Sequence, residues 1–254
     1  MWQCDLTYCH PRRTEYFGGR REDRTAHWLA MTTVTHLLPL LGLKVTAGPL
    51  ELRGITDDDL VALCDLAERG IHDQDAMPFY VPWTASPRGE LARNTAAYHW
   101  RSRAEFSVGS WALHLGVWFD GVLVGSQSYE TSDFLVTRTG ETGSWLGREF
   151  QGRGIGTAMR QAICAFVFDH LDAEEVTSGA FLDNPASLAV SRKVGYRENG
   201  VRRLRRREGE LALNQMLVLR PEDLVRGDHE LVVEGLAAFR RSIGLDQTDE
   251  GDLE

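Results

Sequence analysis

QGRGIGTAMR, Gln151 to Arg160, places glycines at 152, 154 and 156 directly ahead of a helical run. Glycines between a strand and a helix let backbone N–H groups approach a ligand with no Cβ in the way. The first turn of the helix adds unpaired donors and partial positive charge, so the place suits a phosphate or diphosphate. The plainer reading is a tight turn that needs positive φ. Two familiar phosphate motifs do not fit. A P-loop ends in Gly-Lys-Ser/Thr, whereas Gly156 is followed by Thr157 and Ala158. A dinucleotide fingerprint wants its third glycine where Thr157 stands, after an early βαβ unit that the sequence lacks.

Working outward, Ile155, Met159, Ile163, Phe166, Val167 and His170 recur at three and four, a helix with one apolar face. Upstream, ETGSWLG (141–147) reads as a strand, and WALHLGVWFDGVLVGSQSY (111–129) reads as a hairpin turning at Asp120-Gly121. A helix is expected from Gly89 to about Arg103. Leu50 and Leu52 alternate with Glu51 and Arg53, a strand, and Thr56 with Asp59 can cap the helix that follows. Downstream come a strand at EEVTSGAFL (174–182), a short helix from Pro185 to Val194 ended by Gly195, and a final hairpin from Tyr196. The order β-α-α-β-β-β-α-β-α-β-β mixes hairpins with crossovers and predicts a mixed sheet. Beyond Pro221, a helix is expected over His229 to Ile243, packed on the domain or on a second subunit, then the acidic end DQTDEGDLE. Residues 1–48 read as an N-terminal extension, with Met31 at an alternative start.

Composition narrows the partners. A formal net charge of −9 argues against nucleic acid. The longest apolar run, HLLPLLGLKV from His36, is far short of a bilayer span, so no membrane association is expected. Cys4, Cys9, Cys64 and Cys164 form no CxxC pair, which suits a reducing cytoplasm. Cys4, Cys9 and His10 lack an obvious fourth ligand, so no metal is expected.

ETGSWLGREFQGRGIGTAMR followed by FLDNPASLAVSRKVGYRENG resembles the GCN5-related N-acetyltransferase (GNAT) family, in its RimJ/RimL-like branch, over roughly residues 49–221. The resemblance implies an α/β GNAT fold: a mixed, mostly antiparallel central sheet with a splayed strand pair, flanked by helices on both faces. Beyond it, the residues themselves make 222–254 a C-terminal helix and acidic tail. The resemblance also implies acetyl-CoA as co-substrate, its diphosphate on the amides of Gly152, Arg153, Gly154, Ile155, Gly156 and Thr157 beside Gln151. Leu146 then ends the strand whose free edge pairs with the pantetheine arm and polarises the thioester carbonyl.

Asn184 can cap the helix that starts at Pro185. In related enzymes the matching asparagine contacts the cofactor, and the residue matching Ser187 protonates the departing thiolate. Glu141 is the expected general base, with Glu130, Asp133 and His114 as alternatives. Five arginines within Arg202–Arg207 either attract anions or keep a sheet edge from pairing. Phe79, Tyr80 and Trp83 either line an acceptor pocket or pack their own loop. The expected activity is direct transfer of acetyl to a primary amine, a protein N-terminus or a small, antibiotic-like molecule. The alternative from another class is a noncatalytic acyl-CoA-binding module. A homodimer is compatible with either.

Overall fold

Nine strands form one sheet among the described residues, two more than the seven expected, and one of their pairings sets the site. The computed structural model describes residues 33–73, 75–87 and 89–246. After a one-turn helix α1 (Val34–Leu37) come β1 (Lys44–Ala47), β2 (Leu50–Gly54), α2 (Asp57–Glu68), α3 (Leu91–Ala104), β3 (Ser110–Phe119) and β4 (Val122–Ser132). Then follow a one-turn α4 (Phe134–Thr137), β5 (Thr139–Leu146), α5 (Ile155–Leu171), β6 (Glu175–Phe181), α6 (Pro185–Val194), β7 (Arg197–Arg207), β8 (Glu210–Leu219), β9 (Val232–Glu234) and α7 (Leu236–Ser242). The sheet order is β7-β8-β6-β5-β4-β3-β2-β1-β9. Every neighbouring pair is antiparallel except β5 and β6, which the α5 crossover makes parallel.

Local signals placed the elements. Thr56 Oγ1 accepts from the Asp59 N–H at 3.2 Å, and Asp59 Oδ2 accepts from the Thr56 N–H at 3.0 Å, the reciprocal cap that starts α2. Asp120 and Gly121 both take positive φ, 50° and 77°, as a two-residue turn between Phe119 and Val122 requires. α2 buries Leu60, Leu63 and Cys64 with Ile55 against one face of the sheet. The larger core lies on the other face, where α5 buries Ile155, Met159, Ile163, Phe166 and Val167.

The ends differ from expectation. Leu40, Leu43 and Val45, assigned to an N-terminal extension over 1–48, are 3%, 1% and 1% exposed and belong to the core. β1 is only four residues long and turns through Gly48 (φ 58°) onto β2, too short a run for its alternation to show. The helix expected over His229–Ile243 is a strand and a helix: Val233 pairs with Val45, Gly235 (φ 77°) reverses the chain, and α7 buries Phe239 in the same core. Cys4, Cys9, His10, Met31 and residues 247–254 of the acidic end lie outside the described residues. Among the described residues no His/Cys/Asp/Glu group could hold a metal, and no helix is long and apolar enough to cross a membrane.

Candidate active site

β5 and β6 pair at only three positions, Thr139–Glu141 against Glu175–Thr177. β5 nonetheless continues to Leu146, paired to β4 along its other edge, and β6 continues to Phe181, paired to β8. The two strands therefore part after Glu141, and no strand pairs with that edge of Thr142–Leu146, where only the Thr142 and Leu146 carbonyls are taken, by Ser178 Oγ and Gln151 Nε2. Side chains alternate along this stretch. Thr142, Ser144 and Leu146 point toward α5, and Glu141 and Trp145 toward α2 and α3.

The glycine turn closes the α5 side. Gly152 and Gly154 sit at φ 73° and 83°, and a Cβ added at either would meet nothing within 4 Å, so backbone conformation and not crowding demands glycine there. The N–H groups of Gly152, Arg153, Gly154, Ile155 and Gly156 find no acceptor among the described residues. Thr157, expected with these donors, spends its N–H on the Gly154 carbonyl at 3.0 Å. A groove of about 650 Å³ opens beside the turn, walled by Arg153, Gly154 and Ala158 and by Pro49 and His229. Five unpaired donors at a helix start beside open space fit a diphosphate.

Gln151 braces the backbone. Its Nε2 donates to the Leu146 carbonyl at 3.0 Å and to the Ile71 carbonyl at 2.7 Å, tying the end of β5 to the turn. A Cβ on Gly156 would lie 3.7 Å from both Leu146 Cδ1 and Val190 Cγ2, so β5, α5 and α6 converge there. Asn184 Oδ1 accepts the Ser187 N–H at 3.1 Å, the cap of α6. Ser187 is half-buried in that first turn.

Sequence reading passed over Arg160. It is 4% exposed and reaches between the parting strands, donating to Ser144 Oγ on β5 at 2.8 Å and to Ser178 Oγ on β6 at 3.3 Å. Its place one residue after Met159 on the apolar face of α5 was the signal that could have found it.

On the opposite face lies a cleft of two cavities. A cavity of about 730 Å³ is lined by Glu105, Arg101, Glu130, Glu141 and Thr177, and one of about 280 Å³ by Phe79, Trp83, Thr95, His99 and Trp145. Tyr98, His114 and Gly143 line both, so the two meet where β5 begins to free its edge. Phe79, Trp83 and Trp145 stack in sequence at 5.2 and 5.7 Å. These loop aromatics pack one another and line the cavity at once; Tyr80 lines the larger one. Glu130 and Glu141 are direct cross-strand partners. Burial of both carboxyls beneath the cleft raises them, and the neighbouring Glu130 charge raises Glu141 further. Both side chains stay open to water at the cleft mouth, which screens part of that effect. Burial, with Arg103 nearby, lowers His114 to about 4 and keeps it neutral near pH 7. Asp133 stands in a left-handed turn (φ 52°) after β4 and lines neither cavity.

Of the arginines on β7, the edge of the sheet, Arg206 is bound by Asp183 at 2.7 Å and Glu210 at 2.5 Å. Arg202 is close enough to Glu141 to oppose its rise.

Comparisons with known proteins follow the same lines. The GNAT acetyltransferase domain family matches residues 49–197. The Bacillus subtilis (strain 168) protein named "Putative ribosomal N-acetyltransferase YdaF" is 30% identical over 136 residues, 53% of this chain and 72% of that protein. Among solved structures, Mycobacterium smegmatis RimJ with a CoA disulfide superposes with a TM-score of 0.59 at 20% identity, over 79% of this chain and 92% of that one. Apo RimL superposes with a TM-score of 0.54 at 19% identity, over 68% and 91%. At those identities the two structures speak for the fold: a mixed, mostly antiparallel sheet flanked by helices. With the family matched across more than half its length, the chain belongs to the GNAT acetyltransferases and is an acyltransferase enzyme.

Proposed function

We propose that the protein transfers acetyl from acetyl-CoA to a primary amine, and that the amine is the α-amine of a protein or peptide N-terminus. One observation carries this reading: the free edge of Thr142–Leu146 is reached from a diphosphate-compatible turn on one face and from an acidic cleft on the other. Acetyl-CoA, when bound, supplies an acetyl thioester. The N–H groups of Gly152–Gly156 hold its diphosphate, and the backbone beside Leu146 and the Asn184 side chain hold its arm. Glu141 takes the proton of the attacking ammonium, and its raised affinity for protons suits that role. The new C–N bond forms as the C–S bond breaks, the nitrogen gives its second proton to water, and Ser187 gives the departing sulfur a proton that it recovers from water. The larger cavity is open enough for an extended chain, and YdaF bears the name of a ribosomal N-acetyltransferase, both of which support a peptide acceptor.

Thiol release from acetyl-CoA, measured across N-terminal peptides and small amines, tests this. Release that depends on the peptide acceptor is expected. Release that depends only on small amines transfers the reading to a small-molecule acetyltransferase, and release with no acceptor dependence rejects it.

A further inference from the structure

We propose that Ser144, held by the buried guanidinium of Arg160, donates the hydrogen bond that meets the negative charge growing on the acyl oxygen during transfer. This rests on the acetyl-CoA reading above but adds a side-chain donor to the backbone edge.

Three observations converge on Arg160. It is 4% exposed, and no carboxylate pairs with it among the described residues. The ionisable groups beside it are Cys164 and Tyr196, and burial pushes the Cys164 thiol up to about 11 and Tyr196 well above its usual value, so both stay neutral. Its Nε has no hydrogen-bond partner among the described residues. A buried cation held only by neutral groups is costly, yet the fold keeps one where two strands part. An incoming group that gathers negative charge there resolves the imbalance.

The hydrogens identify which serine acts. Ser178 Oγ accepts from Arg160 and spends its own hydrogen on the Thr142 carbonyl at 3.1 Å. Ser144 Oγ accepts from Arg160 at 2.8 Å, and its hydroxyl hydrogen has no acceptor among the described residues. A guanidinium bound to an alcohol oxygen draws charge from the O–H and makes it a stronger donor. Ser144 lies within the stretch of β5 that no strand pairs, its hydroxyl turned toward Arg160 on the α5 side while the residue also borders the smaller cavity on the other face, so it stands where the two faces meet. No proton changes hands; the hydroxyl stabilises charge and returns unchanged. Ser144 touches the reacting atoms, and Arg160 positions and polarises it.

The test is the ¹³C resonance of carbonyl-labelled acetyl-CoA bound to the full chain, read without any acceptor. A polarised carbonyl shifts downfield of free acetyl-CoA in the wild type. Ser144→Ala is expected to remove most of that shift, Ser144→Thr to keep it, and Arg160→Met to reduce it. With acceptor present, Ser144→Ala is expected to lower kcat about 100-fold, with acetyl-CoA affinity little changed. Should Arg160→Met fail to fold, the two Ser144 variants decide alone. A Ser144→Ala complex with the wild-type carbonyl shift overturns the inference while leaving acetyl transfer intact. A downfield shift lost in Ser144→Ala, with no transfer to any amine, upholds it and rejects the proposed reaction. Absence of acetyl-CoA binding overturns both.

Discussion

Single residues divide into those whose role is local and those whose role needs the fold. Gly154 was legible because a left-handed turn before a helix demands it. A Cβ at that position meets no atom, so Gly154→Ala isolates backbone strain of about 1–2 kcal/mol. We expect a lower melting temperature and weaker acetyl-CoA binding from that variant, whereas Gly154→Glu, which brings a negative charge to the diphosphate donors, abolishes binding; calorimetry separates them. Glu141 was legible as a candidate base, yet its partnership with Glu130 required the strand register. The base works ionised, so kcat/KM rises with pH through the raised Glu141 value, and the acid limb lies above the ordinary carboxylate range. Glu130→Gln removes the like charge that opposes ionisation and moves this limb to lower pH, though burial of Glu141 remains. Glu141→Gln lowers kcat/KM about 100-fold or more and flattens the limb. A pH–rate profile of the three enzymes checks all of this, and a limb that stays put in Glu130→Gln counts against the pair. Arg160 left only its place on the apolar face of α5 as a signal, and an arginine on an amphipathic helix reads as solvated until the parting strands are seen beside it.

At the scale of elements, boundaries set by local chemistry could be read in advance and those set by pairing could not. α6 starts after its Asn184 cap and ends at Gly195 (φ 107°), and both signals sit in the sequence. β1 and β9 have four and three residues and exist because they pair with each other and with β2, a long-range fact with no local mark. The link between β5 and α5 combines the two kinds. Gln151 occupies a motif position expected to face the cofactor, but its amide braces the carbonyls of Leu146 and Ile71. Gln151→Met leaves two partly buried carbonyls without that donor. A loss of about 1–2 kcal/mol in urea denaturation is expected, together with weaker acetyl-CoA binding because the end of β5 is no longer tied to the turn. Undiminished stability with reduced affinity instead assigns Gln151 a direct contact.

For the whole molecule, the sheet keeps the glycine turn and the acidic cleft on separate faces. The larger core beneath α5 fixes the glycine turn, and the smaller cluster beneath α2 leaves room for the acidic cleft. The C-terminal segment closes the far side of the larger core, where Phe239 is fully buried against Trp111 and Phe106 at ring separations of 5.6 and 6.5 Å. None of these contacts involves the turn at 152–156 or the opened end of β5. Phe239→Ala therefore empties a ring-sized volume in the core and is expected to cost about 3–5 kcal/mol in denaturant unfolding. Acetyl-CoA affinity, measured at a temperature where the variant is still folded, is expected to match the wild type. A variant that loses affinity in proportion to stability instead shows that the C-terminal segment and the glycine turn open together, as one cooperative unit.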